Sequence, residues 1–145
     1  MIKKSNPADE KTDHLLTAFD LKKTPLRRGL LQEFLKSKEA LTQGDLLQRL
    51  AQKLESVDRV TLYRNLSQFK ELGIIHEVSV NSYIFCEHNC DKHPHLLLFC
   101  QTCHRHEEVS DHTKIQSVLE ALNRLRFFST RESVSIKGLC STCAR

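Results

Sequence analysis

Apolar side chains recur every three or four residues through the first half of the chain, which is the spacing of amphipathic helices. Leucine and phenylalanine stripes of this kind predict four helices before Gly73. Thr24 with Pro25, then Thr42, and then Asp58 are typical of the N-terminal ends of the last three helices. Gly73 is typical of the residue that follows a helix. The first half is therefore predicted to be helical.

The pattern changes from helical spacing to alternation after Gly73. Residues 74–80 and 83–85 predict two strands of a hairpin that turns at Asn81 and Ser82. Helices followed by a small hairpin indicate a winged helix-turn-helix.

The second half of the chain predicts a small α/β unit. Residues 96–99 and 107–109 read as strands, a stripe from residue 115 to residue 125 reads as a helix, and residues 133–136 read as a last strand. The fold class is therefore α+β. We place a winged-helix domain at residues 1–86, a polar hinge at 87–94 and a second domain at 95–145.

Composition places the chain among ordinary globular proteins, because 39% of its residues are hydrophobic and 28% are charged. No apolar run is long enough to cross a membrane, so no membrane contact is expected. The first ten residues lack the apolar core of a secretory signal, which predicts a cytoplasmic protein. Paired cysteines in that reducing compartment favour metal binding over structural disulfides.

Positive charge is concentrated in the first half of the chain. The formal net charge is +4, and residues 74–145 are balanced, so the whole excess lies in residues 1–73. Its densest cluster comprises Lys22, Lys23, Arg27 and Arg28. Such a cluster suits a phosphate backbone, although it also fits an ordinary solvated surface.

Two C-x-x-C pairs carry the strongest chemical signal. Cys100 and Cys103 follow one predicted strand, and Cys140 and Cys143 follow another. Four thiolates so spaced are typical of a tetrahedral structural zinc site. Redox pairs are the alternative, but those favour a single pair at a helix start in a larger α/β unit.

The fourth helix has the features of a DNA-reading helix. Its spacing predicts an inward face formed by Leu62, Leu66 and Phe69. The outward face is formed by Val60, Arg64 and Ser67, and Tyr63 lies at the flank of that face. Arginine can donate two hydrogen bonds to guanine, and a tyrosine ring can contact a thymine methyl group. The same pattern also fits an ordinary amphipathic helix.

Three segments together resemble the ferric uptake regulator family. Residues 61–66 (TLYRNL) are similar to its T-V-Y-R-x-L helix, residues 22–27 (KKTPLR) to its basic T-P-x-R entry, and residues 138–143 (GLCSTC) to its G-x-C-x-x-C terminus. The resemblance covers nearly the whole chain in the right order. It implies a homodimer that is joined through a C-terminal dimerisation domain. It also implies that the dimer binds double-stranded DNA when a second metal site is filled.

The resemblance also implies roles for individual DNA-binding residues. It assigns Tyr63 and Arg64 to base contacts and Lys22 to the phosphates or the minor groove. It assigns Arg27 to the DNA backbone.

The family's zinc uptake regulators have a similar set of sensory ligands, which are His, Cys, His and Glu. By this resemblance the regulatory ligands are His76, Cys86, His93 and Glu108, with His95 as the alternative to His93. One thiolate, two imidazoles and one carboxylate suit tetrahedral zinc. The expected cofactors are therefore one structural and one regulatory Zn²⁺ per subunit. Cys86 discriminates zinc from other metals, although it could also be a small buried apolar residue.

Several residues depart from the family pattern or leave alternatives open. Pro94, Leu96 and Ile115 replace the ligands of a further site in iron-type members, which argues against an iron or peroxide sensor. His104 stands where glycine is usual, and it and His106 are expected at the surface. His88 and Cys90 read as an exposed loop or as an alternative metal site.

The resemblance, together with these residues, implies a zinc-responsive repressor that binds palindromic operators of zinc-uptake genes as a dimer. An iron-, manganese- or peroxide-responsive repressor is the alternative within the family. A zinc-dependent hydrolase with an open site, and a zinc ribbon that binds nucleic acid or protein without a second metal, are the alternatives from other classes.

Overall fold

Five helices and six strands form the part of the protein that the structure describes. The structure is a computed structural model, which describes residues 7–87, 95–109, 111–128 and 133–145. The elements are α1 (Pro7–Ala18), α2 (Pro25–Lys36), β1 (Leu41–Thr42), α3 (Gln43–Ala51), α4 (Arg59–Glu71), β2 (Ile75–Ser79), β3 (Ser82–Phe85), β4 (His95–Cys100), β5 (His106–Val109), α5 (His112–Arg124) and β6 (Ser133–Gly138). None of the described helices is both long and apolar enough to cross a bilayer.

The predicted caps delimit the helices of the first half. The side chains of Thr24, Thr42 and Asp58 accept hydrogen bonds from backbone N–H groups in the first turns of α2, α3 and α4. Gly73 has a φ of 72°, and the N–H of Ile74 reaches back to the carbonyl oxygen of Phe69 at 2.8 Å. This arrangement ends α4 where the chain must turn into the hairpin.

The leucine stripes bury against one another as their spacing predicts. One continuous core joins α1–α4 to the hairpin, and its fully buried members include Leu16, Leu30, Leu46, Leu50 and Leu62. This core fixes the orientation of α4.

The hairpin belongs to a three-stranded antiparallel sheet of order β1-β3-β2. Strand β1 was not predicted, because two residues are too few for a sequence pattern. The turn lies one residue earlier than predicted, since Ser82 already pairs with Ser79 in the ladder. Asn81 adopts a φ of 57°, which asparagine tolerates better than most residues do.

The second half forms the predicted order of two strands, a helix and a strand. Strand β4 is central, with β5 antiparallel on one side and β6 parallel on the other. The parallel pair requires a crossover, and α5 lies in that crossover between β5 and β6. The predicted α+β class is therefore confirmed.

The two sheets share a small apolar cluster, which we call the shared apolar cluster. Val78 and Ile84 from the first sheet pack with Leu97 and Phe99 from the second, and Ala40 packs against them. The first four residues are all buried. Because apolar contact is lost if the sheets separate, this cluster favours the arrangement in which the two sheets are apposed.

A buried carboxylate ties α2 to the end of α3. Glu33 is 5% exposed, and its carboxylate forms ion pairs with Lys53 and with Arg49, the latter at 3.4 Å. Burial alone would raise the pKa of Glu33, but the hydrogen bonds and charges of Lys53 and Arg49 outweigh it and lower the pKa below 4.5.

We expect Glu33→Gln to destabilise the protein by about 1 kcal/mol, since the neutral amide loses two ion pairs whose cations are nearly half exposed. The contribution of Glu33 is present above its unfolded pKa and is lost as the pH falls through its lowered folded pKa. Urea unfolding at pH 7 and near pH 3 measures both effects, with Glu55→Gln as an exposed control. An equal loss of stability at the two pH values would contradict this account.

Candidate metal centres and nucleic-acid interface

Four cysteines come together at one end of the second sheet. The sulfur atoms of Cys100, Cys103, Cys140 and Cys143 all lie within 4.8 Å of one another, and we call them the four-cysteine cluster. Cys103 Sγ and Cys140 Sγ are 3.7 Å apart. Two ligands at the usual Zn–S distance of about 2.3 Å in a tetrahedron are separated by about 3.8 Å, so the cluster fits zinc.

The parallel pairing of β4 with β6 explains why these cysteines meet. Cys100 is opposite Gly138 in the register, so each C-x-x-C turn leaves the same end of the sheet. The N–H of Gln101 donates to the carbonyl oxygen of Gly138 at 2.9 Å, and the N–H of Cys140 points to Cys100 Sγ at 3.3 Å. The backbone therefore brings two turns that are 40 residues apart into contact.

Backbone N–H groups prepare part of the four-cysteine cluster for the thiolate form. The N–H groups of Cys103 and Cys140 lower the pKa of Cys100 to about 6. Hydrogen bonding to the Cys140 side chain raises the pKa of Cys143 to about 12. Four crowded thiols cannot all ionise unless a cation neutralises them, which is the situation that a bound Zn²⁺ provides.

A second cluster lies between the two sheets and contains three of the four predicted regulatory ligands. Ligand atoms of His76, Cys86 and Glu108 lie within 4.8 Å of one another, and we call these residues the His/Cys/Glu cluster. His76 lies on β2, Cys86 follows β3, and Glu108 lies on β5. His76 and Cys86 are 8% and 6% exposed, so both are screened from bulk water.

The carboxylate of Glu108 connects β5 to the end of the first sheet. Glu108 Oε1 lies 3.7 Å from Cys86 Sγ, and Oε2 accepts a hydrogen bond from the N–H of Glu87 at 3.1 Å. The backbone contact of Glu87 was not predicted, because sequence spacing does not indicate which amide faces a carboxylate. An imidazole, a thiol and a carboxylate so close together, and largely buried, have the chemistry of a metal site.

The predicted fourth ligand is His93, with His95 as the alternative. His93 lies outside the described residues, as do His88 and Cys90 of the alternative site. His95 is the first residue of β4, but the structure does not describe its side chain. The choice between His93 and His95 stays open.

The two histidines after the first C-x-x-C pair have different surroundings. His104 is exposed and has a φ of 60°, the conformation for which glycine is usually selected. His106 is half-buried rather than at the surface as expected, and its buried Nδ1 atom has no hydrogen-bond partner among the residues that the structure describes. It shares a cleft with Cys86 and Glu87. Burial lowers the pKa of His106.

Helix α4 divides into the inward and outward faces that its spacing predicts. The inward residues Leu62, Leu66 and Phe69 are buried. On the other face Val60 is 55% exposed and Tyr63 is 41% exposed. These two residues, together with Arg64, Ser67, Gln68 and Glu71, line an open groove along the helix. The outward face of α4 is therefore open to a partner.

The predicted backbone contacts, Lys22 and Arg27, lie beside α4 but differ in their surroundings. The side chain of Lys22 is exposed, whereas Arg27 is half-buried. Arg27 donates hydrogen bonds to Asn65 and Gln68 of α4. Neither partner was predicted, because both residues read from the sequence only as polar positions on a helix.

Comparison with known proteins agrees with this architecture. The model of the ferric uptake regulator family matches residues 18–135. A ferric uptake regulation protein of Staphylococcus epidermidis is 26% identical over 125 residues, covering 86% of this chain and 88% of the relative. A zinc uptake regulator complexed with zinc and DNA has a TM-score of 0.77 at 22% identity, over 97% of both chains. Holo XcZur has a TM-score of 0.75 at 24% identity, over 94% of this chain and 98% of that one.

The winged helix, the mixed sheet and the two metal-ligand clusters define a class of metal-responsive transcription regulators. This chain belongs to the ferric uptake regulator family. Family members regulate transcription and are not enzymes, so the zinc-dependent hydrolase is set aside.

Proposed function

We propose that the protein is a zinc-responsive repressor that binds palindromic operators of zinc-uptake genes as a homodimer. The observation that carries this proposal is the His/Cys/Glu cluster, which takes two ligands from the first sheet and one from the second. A metal held there is bound tightly only when the two sheets are apposed. Metal occupancy and the position of the winged helix are thus linked.

The donor set supports zinc as the sensed metal. Cys86 supplies a soft thiolate, His76 an imidazole and Glu108 a carboxylate, and the fourth ligand is His93 or His95. Zinc accepts this mixture in a tetrahedron, whereas manganese and iron(II) favour nitrogen and oxygen ligands in larger numbers. The four-cysteine cluster holds a separate zinc that is structural, which makes two zinc ions per subunit.

The domain boundaries remain part of this proposal. We propose residues 1–86 as the winged-helix domain, 87–94 as the hinge, and 95–145 as the dimerisation and metal-binding domain. The shared apolar cluster already favours contact between the two domains. Zinc therefore has to add only a moderate free energy in favour of the arrangement in which the domains are apposed. A bias of a few kcal/mol is sufficient to shift a two-state equilibrium nearly completely.

Exposed apolar side chains support a homodimer through the second domain. Leu125, Phe127 and Phe128 are 62–77% exposed at the end of α5, and Ile136 and Leu139 are about half exposed on and after β6. Three of these side chains lie within four consecutive residues, and an exposed apolar group of this kind is typical of a protein–protein interface. A dimer would present two copies of α4, which suits a palindrome.

The exposed face of α4 supports base recognition by Tyr63 and Arg64, with Lys22 at the phosphates. We expect Arg64→Ala to weaken binding to a selected operator by about 1–3 kcal/mol, because a bidentate contact to a guanine would be lost. Competition binding at saturating zinc measures this loss, and Arg124→Ala, which changes an exposed arginine on α5, is the charge-matched control. Equal losses for the two variants would contradict base recognition by Arg64.

Fluorescence anisotropy across buffered free zinc tests the function as a whole. The operator is first selected from a random duplex pool at saturating zinc, and the protein keeps its structural zinc throughout. We expect tight binding only as free zinc rises, with much weaker responses to iron(II) and manganese(II). Activation by iron or manganese in preference to zinc would overturn the ligand assignment but keep the family. Equal binding at all metal concentrations would favour a constitutive binder.

A further inference from the structure

The guanidinium group of Arg27 is held by the protein's own polar groups. Its Nε donates to Asn65 Oδ1 at 2.8 Å, one terminal nitrogen donates to Gln68 Oε1 at 2.8 Å, and the other donates to the carbonyl oxygen of Lys22 at 3.2 Å. All three nitrogen atoms therefore have a partner within the protein. A phosphate could reach only the donors that remain.

These contacts join the start of α2 to the middle of α4. Asn65 and Gln68 lie three residues apart, so they are neighbours on one side of α4 and match the planar fork of an arginine. Asn65 is itself oriented, because its Nδ2 donates to the carbonyl oxygen of Thr61 at 2.8 Å. The apolar packing of Leu62, Leu66 and Phe69 orients α4 from its inward face, and these two polar contacts add a directional constraint from another side of the helix.

The neighbouring arginine provides a contrast on the same turn of α2. Arg28 is exposed, and its guanidinium pairs with Asp13 of α1 at 2.7 and 2.9 Å, away from α4. It has the same charge as Arg27, but in the described part of the chain its side-chain hydrogen bonds go to α1 and not to α4. Any effect specific to Arg27 is therefore not an effect of charge alone.

We propose that Arg27 is a positioning residue that sets the angle at which α4 presents Tyr63 and Arg64, rather than a contact to the DNA backbone. This inference rests on the proposed function. Lysine at position 27 would keep the positive charge and could still bind a phosphate, but it lacks the planar fork. The two roles therefore predict different behaviour for Arg27→Lys.

Competition binding at saturating zinc, with a selected operator and a non-operator duplex of equal length, separates the two roles. We expect Arg27→Lys to lower operator affinity about tenfold, because two hydrogen bonds from a charged donor are lost. Non-operator affinity and the salt dependence of binding should not change, since the number of phosphate contacts is the same. Arg28→Lys should match the wild type throughout.

A double-variant cycle with Gln68→Met gives a second measurement. If Arg27 acts through Gln68, the effect of Gln68→Met on operator affinity should be much smaller in the Arg27→Lys background. Additive effects, or an Arg27→Lys protein with wild-type operator affinity, would overturn the proposal. An equal fall in operator and non-operator affinity would also overturn it.

Urea unfolding of the same four proteins without DNA keeps the inference separate from the proposed function. If the two substitutions change the free energy of unfolding non-additively, the contact between Arg27 and Gln68 is supported. Strictly additive changes would overturn the proposal. If the wild-type protein binds no DNA, the proposed function fails, and this cycle still decides whether Arg27 holds α4.

Discussion

Replacing Cys86 with alanine is expected to abolish the zinc response of DNA binding while the four-cysteine cluster stays loaded. The substitution removes the only thiolate of the His/Cys/Glu cluster. Groups that only hydrogen-bond to metal ligands already contribute about 10- to 100-fold to metal affinity. Loss of a ligand itself should therefore lower zinc affinity at this site by at least about a hundredfold. Alanine introduces no polar atom at this buried position and is smaller than cysteine, so the fold should persist.

Matched substitutions on β5 separate ligation from general charge effects. Glu108→Gln removes a proposed ligand, whereas Glu107→Gln changes an adjacent, exposed carboxylate on the opposite face of the strand. In anisotropy measurements with buffered zinc, Glu108→Gln should lose the zinc response of DNA binding, as Cys86→Ala does. Glu107→Gln should keep the zinc response of the wild-type protein. A Cys86→Ala protein with a normal zinc response would remove the His/Cys/Glu cluster from the account.

Replacing Cys140 with serine should disrupt the second domain. Structural zinc contributes an apparent free energy of about 10–16 kcal/mol in zinc-finger peptides, which matches or exceeds the whole stability of a typical domain, about 5–15 kcal/mol. Without it, the contact between the ends of β4 and β6 loses its cross-link. We expect one zinc fewer per subunit, loss of the dimer and loss of DNA binding at any zinc concentration.

Size-exclusion chromatography with zinc analysis and circular dichroism would measure these losses. Ser141→Ala lies within the same C-x-x-C turn and is the control, because its side chain is not a proposed ligand. The same losses should follow when a strong chelator strips the wild-type protein. A dimeric Cys140→Ser protein with native secondary structure would contradict a structural role for the four-cysteine cluster.

Features with a local origin were predicted well from the sequence. The caps at Thr24, Thr42 and Asp58 were predicted because a side-chain oxygen meets its backbone partner within three residues. The leucine stripes gave the buried faces for a similar reason, since helical geometry sets which residues share a side. The C-x-x-C spacing predicted that the cysteines belong together, although their meeting requires the parallel pairing of β4 with β6.

Features that depend on packing between distant segments were not predicted. The partners of Arg27 lie 38 and 41 residues away, and no spacing rule links them. The half-buried position of His106 depends on the apposition of the two sheets, which no period in the sequence describes. The shared apolar cluster was missed for the same reason. That His76, Cys86 and Glu108 would cluster was anticipated only through the family resemblance.

The most direct test of the account is the zinc affinity of the regulatory site with and without operator DNA. Competition with a zinc chelator of known affinity would be run on the protein with its structural zinc in place. If zinc and DNA favour the same arrangement of the two domains, the operator must raise zinc affinity by the same factor by which zinc raises operator affinity. We predict that the operator raises the zinc affinity of the wild-type protein and that this rise is absent from Cys86→Ala, because linkage acts only through the site that zinc uses to activate DNA binding. An operator-dependent rise of the same size in Cys86→Ala would contradict a regulatory site at the His/Cys/Glu cluster.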